Sequence, residues 1–182
     1  MTAQKKNLIL IFDTNIFLTG IDFNIINEQI YTTPKIIDEV NVIKYKDKNR
    51  NIINKLEAAI ENGKLILKSP EDKYIHKVKT NSKITGDFKA LSDADISLIA
   101  LSLELLENLN HEVVLYSNDY SIQNICDNLS IRYSSLFKKG IKKKILFEVY
   151  CPNCNITFEP EFLNELCERC GLRLKRRPRK DD

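Results

Sequence analysis

Two CxxC pairs, Cys151-Pro-Asn-Cys154 and Cys167-Glu-Arg-Cys170, stand twelve residues apart near the end of the chain. Each CxxC tightens a turn so that two thiolates point the same way. Two such turns complete the tetrahedral sulfur set that suits Zn²⁺. Gly171, directly after the last cysteine, permits the positive φ common in such knuckles. Four thiolates leave no open coordination position, so the expected zinc is structural rather than catalytic. A module this short has little core, and the metal must supply most of its folding energy. The fifth cysteine, Cys126, falls in an apolar helical pattern and reads as a buried thiol.

Four acids form a second candidate constellation. Asp13 follows an apolar run, Glu39 is placed near the start of a helix, Asp95 falls in the first turn of another, and Asp119 follows a second apolar run. In an open parallel sheet, the carboxyl ends of strands and nearby helix starts gather at one edge, where ligands bind. Carboxylates collected there repel one another unless a cation sits between them. Hard oxygen ligands favour Mg²⁺ or Mn²⁺, and such an ion can activate water against a phosphodiester. Asp87 and Asp93 are nearby acids that could join or replace Asp95. Thr14, Asn15, Ser117 and Asn118 are placed to orient the acids or contact a phosphate. Each acid also has a plainer explanation. Asp95 stands three residues after Ser92 and could complete a capping box. Glu39 could be an exposed helix residue, Asp13 a turn cap, and Asp119 a turn former. The plain explanations together require four independent accidents at one sheet edge.

The elements that must position these groups are legible in outline. Leu8–Phe12 is uniformly apolar, as a buried strand of a parallel sheet should be. Thr33 and Pro34 open a helix as N-cap and first residue, with Ile36, Ile37, Val40 and Ile43 as its apolar face. Residues 51–61 form a second helix ended by Gly63, and 64–68 a short strand. The polar stretch 71–89 reads as helix plus loop. A helix from Ser92 to about Asn108 carries Ile96, Ile99, Ala100, Leu103 and Leu106 as a stripe. Strand 113–116, helix 121–128 and strand 131–133 follow. Strands alternating with helices imply a parallel α/β sheet.

Charge is distributed unevenly. Residues 138–182 carry 12 Lys and Arg against 7 Asp and Glu, and residues 1–137 carry 16 against 18. A basic tail on a mildly acidic body suggests an anionic partner, nucleic acid first. Arg173, Lys175, Arg176, Arg177, Arg179 and Lys180 read as a phosphate-contacting arm, against the alternative of a solubilising tail. No apolar run is long enough to span a membrane. The polar N-terminus lacks the features of a signal peptide, so a cytoplasmic location is expected. A Gly-rich phosphate loop and a nucleophile elbow are both absent from the sequence.

Leu-Ile-Phe-Asp13-Thr-Asn15 resembles the opening of a PIN-domain nuclease. Thr33-Pro34-Lys-Ile-Ile-Asp-Glu39-Val40, Thr85-Gly86-Asp87 with Leu91-Ser92-Asp-Ala-Asp95-Ile, and Ser117-Asn118-Asp119-Tyr120 resemble its later acidic segments. With the C-terminal zinc ribbon and Leu174-Lys-Arg-Arg177, nearly the whole chain is similar to the archaeal Nin-one-binding proteins. These are endonucleases that mature the 3′ end of small-subunit ribosomal RNA. The resemblance implies a five-stranded parallel sheet with helices on both faces. It implies Asp13, Glu39, Asp95 and Asp119 as the catalytic acids, with Mn²⁺ or Mg²⁺, and Cys151, Cys154, Cys167 and Cys170 as zinc ligands. One departure is visible: Asn118 stands where the fourth motif often carries an additional acid, which lowers the local charge.

The expected organisation is a PIN-like nuclease domain over residues 1–137, a basic linker over 138–150, a zinc ribbon over 151–174 and a basic tail over 175–182. The expected activity is metal-dependent endoribonuclease action on precursor small-subunit ribosomal RNA, with the small ribosomal subunit as partner. The alternatives are a non-catalytic RNA-binding assembly factor and a toxin-type PIN ribonuclease. Clustered carboxylates argue against a mere binder of polyanions, and the zinc ribbon argues against a toxin, which is usually a bare nuclease domain.

Overall fold

The computed structural model of the chain describes residues 7–22, 25–42, 50–108, 111–135 and 146–179. The start of the expected linker at Lys138-Lys139-Gly140, Ile43 of the apolar face expected for the helix opened by Thr33 and Pro34, and Lys180 lie outside these residues. The larger unit runs β1 (Leu8–Phe12), α1 (Thr14–Phe17), β2 (Gln29–Thr32), α2 (Pro34–Val40), α3 (Arg50–Glu61) and β3 (Leu65–Leu67). It continues with α4 (Asp72–Thr85), α5 (Asp93–Asn108), β4 (Glu112–Tyr116), α6 (Tyr120–Asn128) and β5 (Arg132–Ser134). The five strands form one sheet in the order β3-β2-β1-β4-β5, and every pair is parallel. The chain winds outward from β1 through β2 to β3, then returns to β4 on the other side of β1. Strand order therefore reverses between β1 and β4, and the crevice beyond their carboxyl ends is where such sheets bind ligands.

Burial follows from this topology. Residues 9–12 of β1, the central strand, are all buried. Helix α5 packs against α2, α4, α6 and β4. It is consequently buried beyond the single stripe expected of it: Leu98, Leu101 and Leu105 are as inaccessible as Ile99 and Ala100, whereas Leu106 is only partly buried. A helix covered by neighbours on several sides has no polar face to show.

Strand β2 was not anticipated from the sequence. Only Ile30 and Thr32 of Gln29-Ile-Tyr-Thr32 are buried, and the Thr32 hydroxyl donates to the Phe12 carbonyl at 2.9 Å. A threonine thus occupies a core position where an apolar residue would have advertised the strand. Helix α4 and the loop after Gly86 fill the stretch 71–89 as expected, although its periodicity is weak. The buried positions of α4 are Tyr74, Val78, Ser82 and Thr85, helically spaced but half of them polar. Thr33 occupies the N-cap position of α2 and Pro34 opens the helix, but the Thr33 hydroxyl makes no capping bond.

The smaller unit is an antiparallel sheet in the order β7-β6-β8, built from β6 (Phe147–Tyr150), β7 (Thr157–Phe158) and β8 (Lys175–Pro178). Val149, Cys151, Leu163, Cys167 and Leu174 are its small core. The sheet extends past the expected 151–174 span at both ends. The basic run tolerates a strand because Arg177 faces Glu148 across it, Nε to Oε1 at 2.7 Å, and stacks on Tyr150.

The two units meet at the end of α4. Gly86 caps that helix in the left-handed conformation, φ +78°, and a Cβ added there would lie 2.1 Å from the Phe147 carbonyl oxygen of β6. Ion pairs Lys83–Glu161 and Lys89–Glu165 flank the contact. Gly86→Ala is expected to destabilise the protein by at least about 1–3 kcal/mol from backbone conformation alone. A lowered urea midpoint checks this, and an unchanged one would mean that residue 86 is not held in the left-handed conformation at the end of α4.

Candidate active site and metal centre

Asp13 stands at the carboxyl end of β1, 4% exposed, where it also caps α1. Its Oδ1 accepts from the Thr14 amide at 2.6 Å, and its Oδ2 accepts from Ser117 Oγ at 2.6 Å and from the Asn15 side-chain amide. Ser117 follows β4 across the switch point and is fully buried. Its hydroxyl oxygen in turn accepts the Asp119 amide at 3.0 Å. One hydroxyl thus ties the strand that carries Asp13 to the loop that carries Asp119. Asn15 Oδ1 accepts the Asn118 amide at 3.3 Å and closes the same link from the other side.

Asp119 is exposed and is the N-cap of α6, accepting from the Ser121 amide at 2.6 Å. Asp95 is partly buried in the first turn of α5. Its Oδ2 accepts the Ser92 amide at 2.7 Å while its own amide donates to Ser92 Oγ at 3.1 Å, a complete capping box. Glu39 is exposed in the last turn of α2 rather than near its start. It is fixed by Thr14 Oγ1, which donates to Oε2 at 2.6 Å. The capping roles offered as plain explanations for Asp13 and Asp95 are therefore real, and Asp119, expected as a turn former, is a helix cap. They coexist with placement at one edge.

The electrostatics show that the four acids share a field. Burial pushes the Asp13 carboxyl up to about 6, Ser117 and Thr14 pull against it, and the charges of Asp95 and Asp119 push it further. Asp95 is likewise raised, first by burial and then, against the Ser92 bonds, by Asp119 and Glu39. Groups raised in this way gain from a cation. Yet the carboxylates do not close into a cage: among the described residues, only the four cysteines place three or more potential ligand atoms within 4.8 Å of one another. An open set of hard oxygens suits an ion such as Mg²⁺ or Mn²⁺, which keeps part of its water shell and bonds substrate phosphate.

Asp87 does not join the acids. It is fully buried beneath the ribbon and bonded to Asn124 and Arg176. Asp93 is exposed and borders the groove between Phe88, Leu91 and the ribbon residue Leu163.

In the ribbon, the sulfurs of Cys151, Cys154, Cys167 and Cys170 all lie within 4.8 Å of one another. Cys151 and Cys170 approach to 3.4 Å. The Cys170 thiol is lowered to about 6, first by the Leu172 amide, while Cys154 is pushed up to about 12, first by its bond to Cys170. Four sulfurs packed this closely cannot all ionise without a metal ion to neutralise them. Of the six basic residues expected to contact phosphate, Arg173, Lys175 and Arg179 are exposed. Arg177 is held by Glu148 and Asn155, and Arg176 by Asp87 and Ser121. The Asp87–Asn124–Arg176 network escaped sequence reasoning, since nothing separates Arg176 from the basic residues around it.

The parallel sheet with carboxylates at its switch point is that of a PIN domain, and the family model "PIN domain of ribonuclease" matches residues 10–105. The chain is 33% identical over 171 residues to endoribonuclease Nob1 of Pyrococcus abyssi, covering 94% of each chain. It is 32% identical over 167 residues to endoribonuclease Nob1 of Methanocaldococcus jannaschii, covering 92% of this chain and 76% of that one. It is also 33% identical over 110 residues to the 20S-pre-rRNA D-site endonuclease NOB1 of Saccharomyces cerevisiae, covering 60% of this chain and 22% of that one. The chain belongs to the Nob1 family of PIN-domain endoribonucleases.

Proposed function

We propose that this protein is a divalent-metal-dependent endoribonuclease that cuts precursor small-subunit ribosomal RNA at its mature 3′ end during ribosome biogenesis. Kinship with Nob1 endoribonucleases over nearly the whole chain carries the substrate. The observation that carries the chemistry is the set of four acids in one electrostatic field at the switch point. Asp13, Glu39, Asp95 and Asp119 would hold Mn²⁺ or Mg²⁺. When bound, such an ion supplies Lewis-acid stabilisation of the charge that builds on a phosphodiester. Asp13 is held in place by Ser117, Asn15 and Thr14. Of the exposed acids, Glu39 is oriented by Thr14 and Asp119 by the start of α6, and one of these takes the proton of the attacking water.

The ribbon cysteines would hold one structural Zn²⁺. Arg173, Lys175 and Arg179 offer their charge to RNA phosphates, so binding weakens as salt rises. The nuclease domain would span residues 1–137, and the ribbon would include β6 to β8. Among the described residues no helix is long and apolar enough to cross a membrane, consistent with work in the cytoplasm.

The test is cleavage of an RNA spanning the small-subunit 3′ end, with Mn²⁺, beside unrelated single-stranded RNA of equal length. A single cut in the first and none in the second is expected. Equal cutting of both would favour a toxin-type ribonuclease, and binding without cutting would favour an assembly factor.

A further inference from the structure

Arg176 lies in β8 of the ribbon, yet its guanidinium ends inside the nuclease domain. Nη1 donates to Asp87 Oδ1 at 2.5 Å, and Nη2 donates to Ser121 Oγ at 3.1 Å. The Phe147 ring covers it, 4.5 Å from guanidinium carbon to ring centroid. Asp87 has no exposed surface, and its other oxygen accepts from Asn124 of α6 at 2.7 Å. The cation of Arg176 is therefore committed to a buried carboxylate, which removes it from the residues available to phosphate. Burial raises the Asp87 carboxyl, and Asn124 and Arg176 work against that rise.

Both ends of this network fall on α6, at Ser121 and Asn124. Ser121 is also the residue whose amide fixes the Asp119 carboxylate, at 2.6 Å, and the Gln123 amide bonds the Asp119 carbonyl at 3.1 Å. Arg176 itself lines one concavity with Asn15, Asn118, Asp119 and Tyr120. We infer that Arg176 is a positioning residue through which the ribbon holds the first turn of α6, and with it Asp119, in register with Asp13. The planar fork suits this task because it serves Asp87 and Ser121 at once, whereas a lysine offers a point charge that can satisfy only the first. The ribbon is thus a structural part of the nuclease site and not only a handle for RNA. This inference rests on the nuclease reading for its catalytic consequence and on the hydrogen-bond geometry for its structural one.

The experiment pairs hydrogen exchange with cleavage kinetics for wild type, Arg176→Gln, Arg176→Lys and Ser121→Ala. The Ser121 and Gln123 amides report directly on Asp119, since both bond to it. Their exchange is expected to quicken at least tenfold in all three variants. Amides of β6 and zinc content should stay as in wild type. On a short single-stranded RNA, kcat is expected to fall about tenfold in Arg176→Gln with KM within threefold. Arg176→Lys, which keeps the charge beside Asp87, should retain wild-type ribbon docking and thermal stability while still loosening Ser121. Unchanged exchange at Ser121 and Gln123 in Arg176→Lys and Ser121→Ala would overturn the inference. So would a rise in KM at constant kcat, which would make Arg176 an RNA contact. Should wild type cut no RNA, the nuclease reading fails, and the exchange data still decide whether Arg176 positions α6.

Discussion

Asp13→Asn is expected to abolish metal-dependent cleavage while leaving the fold intact. The carboxylate stands at the centre of the switch point, receives three hydrogen bonds, and lies in the field of Asp95 and Asp119. Losing an outer-shell partner typically costs roughly 10–100-fold in metal affinity or activity. Loss of a ligand charge at the centre should exceed that range. The same substitution should change how stability depends on pH in the metal-free protein. The Asp13 carboxyl rises from 3.8 to about 6 on folding, mainly through burial. A raised acid contributes stability that is full below pH 3.8 and lost as pH rises through about 6. At about 1.36 kcal/mol per unit, wild type should lose on the order of 3 kcal/mol relative to Asp13→Asn between pH 4 and 7. Melting temperatures of both proteins in chelator check this. Addition of Mn²⁺ should restore wild type and leave the variant unmoved. Parallel pH curves would show that Asp13 does not carry the cost assigned to it.

Cys170→Ala should have the second large effect, and it should be confined at first to the ribbon. The ribbon's core is five side chains, two of them cysteines. Structural zinc is worth roughly 10–16 kcal/mol in zinc-finger peptides, far more than so small a core supplies. Removing one thiolate should empty the site of zinc and unfold β6 to β8, with the β1–β5 sheet still protected from exchange. Asp87 then loses Arg176, so cleavage should fall even on RNA too short to reach the ribbon. Zinc content and site-resolved exchange provide the measurement. A ribbon that stays folded without zinc would refute the metal's structural role.

How much of this was legible beforehand differs by residue. Asp13 and Asp119 announced themselves because each follows an apolar strand, and a carboxylate at that position has a topological reason to face a ligand. The cysteines were legible from spacing alone. β2 was not, because Thr32 buries a hydroxyl against the Phe12 carbonyl where the pattern would require an apolar side chain. The extent of β8 was hidden for a related reason. Lys175-Arg-Arg177 reads as a solvated arm until Glu148 and Asp87 are seen opposite it, and Asp87 lies 89 residues away in the chain. The capping box at Ser92 shows that a plain local role and a place in the acidic field can belong to one residue. A local signature therefore does not argue against a functional one.

In the proposed mechanism the acids at the β1–β4 switch point hold the divalent ion that cleavage requires. Anomalous diffraction from crystals grown with Mn²⁺ tests it most directly. A manganese peak is expected in the crevice bounded by Asp13, Asp95 and Asp119, absent from Asp13→Asn crystals grown in the same way. Metal-dependent cutting by a protein whose crystals place no manganese at these carboxylates would contradict it.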